Sequence, residues 1–253
     1  MHLRTVGLIF SIDPLFSSPS DTCIYIGIIL ANIGCYRWRI VIHGGVDGFS
    51  RTAVFIHASD NNRQDTVLQQ FLAAAATFGL PSRIRVDDGG ENNAICNVME
   101  LLHGEHHKAA IRGSSVHNQR IERFWRDLWF GVTNTFHSLF HFLEHSNYLN
   151  CDDEQHVWAL HYVFLPRINT ALKKFQQQWN NHGLRTEHNR TPQQLFVGQA
   201  LRLCNSSLTA VRELFYCSNA NVGLSIYLLT AVIVLSLAQI LLMNRNHLFL
   251  SLQ

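Results

Sequence analysis

At 253 residues the chain has room for one large domain, or for a domain with an appendage. A net charge of only +2 excludes a polycation that coats nucleic acid through bulk charge, so any such contact needs local basic patches. Six cysteines without a CxxC pair exclude a zinc ribbon and give no disulfide framework, which leaves reduced, mostly buried thiols.

Residues 1–22 carry Pro14, Pro19 and several serines without pattern and read as an irregular leader. The apolar run after Arg4 ends at Asp13 and Pro14, too early for a signal peptide. Residues 23–33 (CIYIGIILANI) are β-branched and nearly continuously apolar, which predicts a buried strand. Residues 38–43 (WRIVIH) predict a second strand, and residues 52–57 (TAVFIH) a third. Gly44-Gly45 and Asp47-Gly48 offer turn chemistry between them, so the three strands are expected as an antiparallel meander.

Asp60 is placed to cap a helix in which Val67, Leu68, Phe71, Leu72, Ala75 and Phe78 recur at helical spacing, until Gly79 and Pro81 stop it. A short strand is expected over 83–86 (RIRV), a helix over 94–102, a further strand over 108–111, and a long helix from near Ser114 or Ser115. Residues 152–178 are helical in character, broken at Pro166. Strands first, then strand and helix alternating, gives a mixed sheet flanked by helices.

The tail, 201–253, differs. No charged residue lies between Glu213 and Arg245, and residues 222–243 are apolar on every face of a helix. Such a helix rises about 1.5 Å per residue and would reach across a ~30 Å hydrocarbon core. A transmembrane helix, and with it a membrane as partner, is therefore expected; a helix buried in a core is the alternative. Arg245 and His247 are too few to fix an orientation.

Two acids carry the chemistry. Asp87 ends the strand-like RIRV in the run RVDDGG, and Glu122 lies in SSVHNQRIERFW with 34 residues between them. A divalent ion such as Mg²⁺ is hard and takes oxygen ligands, so paired carboxylates on separate elements suit two-metal phosphoryl transfer. Asn118 precedes Glu122 by one helical turn, on the same face. Taken singly, Asp87-Asp88-Gly89 is an ordinary strand-to-loop turn, and Glu122 with Arg126 an ordinary i,i+4 pair. Together with DGFSR (47–51) upstream and NNHGLRTEHNRTP (180–192) downstream, the pattern resembles the retroviral- and transposon-type integrase core, a ribonuclease-H-like catalytic domain.

The resemblance implies an α/β fold with a ribonuclease-H-like mixed sheet flanked by helices, spanning 23–200, with the apolar C-terminal helix appended. It implies Mg²⁺-dependent (or Mn²⁺-dependent) DNA strand cleavage and transfer, with Asp87 and Glu122 as metal ligands and Asn118 assisting. It further implies DNA as partner, with Arg112, Arg120, Arg123 and Arg126 on its phosphates, a homo-oligomer, and a nuclear location. Gly89 and Gly90 would leave room for substrate backbone. One part is missing: where the family has its first catalytic Asp, this chain has Leu30, so impaired activity is expected. Asp47 is no substitute. In a hairpin of the first two strands Leu30 faces residue 41, and Asp47 lies about 20 Å further along. A non-catalytic module that binds DNA or protein is the alternative. Trp125 reads as a core residue, and the cluster His103, His106, His107 as solvated loop rather than zinc site.

Overall fold

The β-branched runs build a five-stranded mixed sheet in the order β3-β2-β1-β4-β5. Its strands are β1 Cys23–Ile29, β2 Val41–Asp47, β3 Ala53–Ser59, β4 Arg83–Val86 and β5 Ala110–Arg112. The computed structural model describes residues 23–29, 35–86, 89–103, 108–113 and 119–204. Two compact units divide the chain, 1–200 and 201–253, and the second is described only through Cys204. The apolar segment 222–243 lies outside the described residues, among which no helix is long and apolar enough to cross a membrane.

The meander is antiparallel, as its turn-rich sequence predicts, and β4 and β5 then add in parallel. Its boundaries differ from the sequence reading. Trp38 ends a short helical turn, α1 (Cys35–Trp38), and does not open β2; Gly44 and Gly45 lie inside β2 and do not turn. Both glycines are there for what lies over them. A Cβ on Gly44 would come within 2.9 Å of Trp125 Cη2, and one on Gly45 would collide with the ring of Phe55, its cross-strand partner. The sheet dips at two positions so that two aromatic rings can cover it.

Helix α2 (Gln64–Phe78) buries Val67, Leu68, Phe71, Ala74 and Ala75. Asp60 does not cap it: the N-cap is Arg63, which makes no side-chain cap bond. The chain enters instead around Asn61, whose Oδ1 accepts from the Arg63 N–H and the Thr66 hydroxyl, while its Nδ2 donates to Asp60. Asp60 is thus used one residue away. Helix α3 (Asn93–His103) follows a 3-10 turn at Gly90–Asn92.

Helix α4 (Gln119–Leu128) runs without a break through a π-helical segment, Trp129–Thr133, into α5 (Asn134–His145). Leu128 and Asn134 are both helical, so the insert shifts the buried face without interrupting the rod. The expected start near Ser114 or Ser115 lies outside the described residues. Helix α6 (Glu154–Asn181) starts on Asp153, whose carboxylate accepts from the Gln155 N–H. Pro166 does not break it. The ring is exposed, so water reaches the carbonyl that proline leaves without a donor, and packing holds the helix on either side of it. Helix α7 (Pro192–Cys204) completes the described chain.

β3 is an edge strand, with one row of backbone groups unpaired by any other strand. Amides of α6 cover that row. Asn169 accepts from the Ala58 N–H and donates to its carbonyl; Gln176 donates to the Ala53 carbonyl; Asn180 accepts from the Ala53 N–H and donates to that same carbonyl. Residues seven and eleven apart share one helix face, so one stripe of α6 reads the edge of the sheet.

Candidate functional site

Two consecutive aromatics, Phe124 and Trp125, fix the helix that carries Glu122. Phe124 is fully buried, with its ring 4.8 Å from Trp179 and 5.8 Å from Phe175 on α6. Trp125 is buried against Gly44 of β2, as its reading as a core residue predicts. The backbone of Glu122 lies two and three residues before this aromatic pair on the same helix, and the pair fixes that helix against β2 and α6. The Glu122 side chain, and those of Gln119, Arg120 and Ile121, lie outside the described residues, as do Asp87, Asp88 and Asn118.

The strands around Asp87 are described. Val86, the residue before it, ends β4, which is flanked by β1 on one side and β5 on the other. β1 reads CIYIGII and β5 reads AIR, so neither neighbour carries Asp or Glu. Beside Val86 on β5 stands Arg112, a cation, whose guanidinium donates to Asn93 Oδ1 at 2.8 Å. A two-ion centre needs a carboxylate bridging both ions, and these two strands do not provide one. Among the described residues, the strands on either side of β4 therefore offer no carboxylate to bridge paired ions.

Asp47 does not replace the missing acid. It pairs with Ile24, at the opposite end of β1 from Ile29, which faces Ile42. That is the hairpin register expected from sequence. Its carboxylate is buried and spent within its own turn: Oδ2 accepts from the Ser50 N–H at 2.7 Å and the Ser50 hydroxyl at 2.6 Å. Burial raises its pKa, opposed by the hydrogen bonds from Ser50 and the Phe49 backbone. The turn also holds Arg51 in the left-handed region (φ 64), where its N–H donates to the Asp47 carbonyl and its own carbonyl accepts from Trp179 Nε1. The Arg51 guanidinium reaches Thr186 and Glu187. DGFSR and LRTEHNR, distant in sequence, are thus two halves of one clamp on α6.

At Gly89 the space beside the backbone holds the tip of a flexible side chain, and at Gly90 the nearest atom to a Cβ would be Asn93 Nδ2 at 3.9 Å. The Glu91 carboxylate curls over Gly89, where a Cβ would collide. Glu91 is an acid that sequence reasoning passed over; a carboxylate four residues after Asp87 in a glycine turn was the available signal. Of the expected phosphate-binding arginines, Arg123 and Arg126 are exposed on α4, each 3.8 Å from Asp127, and Arg112 is exposed at the end of β5. His103 Nε2 lies 3.0 Å from the Pro81 carbonyl, while His106 and His107 lie outside the described residues.

A family model described as Integrase core domain matches residues 27–210. No curated protein matches the chain. Among solved structures, it is similar to the HTLV-2 integrase catalytic core domain in complex with magnesium. The trimeric form has 16% identity and TM-score 0.38 over 62% of this chain and 84% of that one. The dimeric form has the same identity and coverage with TM-score 0.37. It is also similar to a chain of the simian T-cell lymphotropic virus intasome in complex with PP2A regulatory subunit B56 gamma, at 18% identity and TM-score 0.38, over 62% of this chain and 48% of that one. The family match takes in well over half of the sequence, from within β1 to beyond α7, and on that ground the chain belongs to the integrase core domain family.

Proposed function

We propose that this protein is an integrase-type core whose DNA strand-cleavage and transfer chemistry is impaired by loss of the first catalytic carboxylate at Leu30. The observation that supports this reading is the absence of any acid from β1 and β5, the strands on either side of β4. Asp87 and Glu122 are then left to hold a single Mg²⁺ or Mn²⁺ weakly, with Asn118 assisting. Arg112, Arg120, Arg123 and Arg126 would bind the phosphates of DNA; the exposure of Arg112, Arg123 and Arg126 favours retained DNA binding without chemistry. Assembly into a homo-oligomer, a nuclear location and membrane attachment through 222–243 belong to the same proposal.

The test is restoration. The full-length protein, Glu122→Ala, Leu30→Asp, and Leu30→Asp combined with Glu122→Ala are compared for Mg²⁺-dependent nicking of a labelled duplex. Wild type should match Glu122→Ala at background, and Leu30→Asp should gain nicking that the second substitution removes. Nicking by wild type that depends on Glu122 would overturn the impairment. Folded Leu30→Asp that stays silent yet retains DNA in a salt-sensitive way would favour the binding module.

A further inference from the structure

On α5, two imidazoles one helical turn apart meet at their Nε2 atoms. His137 Nε2 and His141 Nε2 are 3.2 Å apart. Their rings lie at an edge on the Trp38 indole, with centroids 5.7 and 5.0 Å away, and Trp129 borders His137 at 5.2 Å. Trp38 is wholly buried, so the pair has a rigid floor, while His141 is about half exposed and opens outward.

The geometry points to a two-imidazole site on His137 and His141 for a borderline divalent cation, with Zn²⁺ the best match. Two nitrogens each about 2.05 Å from one zinc ion, and 3.2 Å from each other, subtend about 103° at the metal, close to a tetrahedral angle. The other ring nitrogen of His141 is backed by a carboxylate: Nδ1 lies 3.7 Å from Glu144 Oε2. That arrangement favours the tautomer with the proton on Nδ1, leaving the Nε2 lone pair free for a metal. Glu144 is itself anchored, since its other oxygen accepts from Arg37 Nε and from the Cys151 thiol, each at 2.6 Å.

Among the described residues no third His, Cys, Asp or Glu closes the cage, so water fills the remaining positions. The ion would be exchangeable, and imidazole donors would select it against Mg²⁺. Bridging positions i and i+4, it would lock one turn of α5 over Trp38. The same 3.2 Å also suits a single N–H···N hydrogen bond between neutral rings, and experiment separates the two.

The full-length protein is dialysed against Zn²⁺ in excess Mg²⁺, beside His141→Gln and His137→Gln, with folding checked by circular dichroism. Wild type should bind one equivalent more than either variant, or bind it at least tenfold more tightly, and Zn²⁺ should raise the unfolding midpoint of wild type alone. Cu²⁺ should quench tryptophan emission in wild type and not in His141→Gln. Equal stoichiometry and affinity in all three proteins would overturn the site. Nitrogen-15 histidine spectra of the unsubstituted protein give a test that needs no variant: Zn²⁺ should move two Nε2 resonances together, and movement of neither leaves only the hydrogen bond.

Discussion

Asn169 closes a two-bond ring on Ala58: its Oδ1 accepts from the Ala58 N–H at 2.8 Å and its Nδ2 donates to the Ala58 carbonyl at 2.9 Å. The side chain does for the outer edge of β3 what a sixth strand would do for one residue. Because Ala58 is buried, its backbone groups have no ready access to water. Asn169→Ala should therefore cost about 1–3 kcal/mol, the penalty for stranded buried polar groups. A lowered urea midpoint at unchanged slope checks it. A midpoint equal to that of wild type would mean that water replaces the amide at no cost.

Pro166 offers a change in the opposite direction. Proline in a helix interior is about 3 kcal/mol worse than alanine, because it removes a backbone donor and crowds the preceding turn. Part of that is offset, since proline also restricts the unfolded chain by about 0.4–1 kcal/mol. The exposed ring makes no packing contribution large enough to reverse the balance. Pro166→Ala should thus stabilise the protein by about 2 kcal/mol, read as a raised thermal midpoint. A fall would show that the proline bend is needed to seat the amides of Asn169, Gln176 and Asn180 on β3.

These two positions also show what could be read from sequence. Periodicity and β-branching located the meander, α2, β4 and α3, because burial on one face leaves a pattern in a short window. Pro166 predicts a break because local propensity weighs the missing donor and knows nothing of the sheet that holds α6 on both sides. Gly44-Gly45 predicts a turn because glycine has two uses, and only Trp125, far along the chain, decides that at Gly44 it is clearance. Asn169 and Asn180 carry no local signal at all, since an amide is polar whether it faces water or a strand edge. Around β4 the outcome is similar: the place of Asp47 at the far end of β1 is legible through hairpin register, whereas the curl of Glu91 over Gly89 is not.

The Asp47 turn yields a prediction about role as well as stability. Hydrogen bonds to a charged acceptor contribute about 1.5–3 kcal/mol each, and Asp47 accepts two from Ser50 against a burial penalty for its charge. Asp47→Ala should lower stability by about 2 kcal/mol and loosen Arg51 from Glu187. At a temperature where the variant stays folded, Mg²⁺ affinity and DNA retention should be unchanged. Loss of either in the folded variant would return Asp47 to the list of ligands.

Acid sensitivity follows from the buried histidines. His43 is fully buried on β2, with Nε2 3.1 Å from Asn62 Oδ1 and Nδ1 3.3 Å from the Ser59 hydroxyl. Burial lowers its pKa below 6.5, with the Asn62 bond opposing and His57, its cross-strand partner, adding to the shift. Burial lowers His57 and His137 as well. A histidine with a depressed native pKa takes up its proton in the unfolded chain first. Stability is therefore complete above the unfolded value, near pH 6.5, and falls as pH drops below it until the native value is reached. Asp47, whose native pKa is raised from 3.8, works in the other sense as pH falls through that raised value. The urea midpoint should be flat from pH 8 to about 7 and decline toward pH 5, with a limiting slope of about 1.4 kcal/mol per pH unit for each histidine that stays neutral. His57→Gln, at a half-buried position, should shallow that decline while leaving the midpoint at pH 8 nearly unchanged. A midpoint that holds or rises on acidification would mean that these imidazoles are charged in the native protein, and that the polar pocket around His43 is built for a cation.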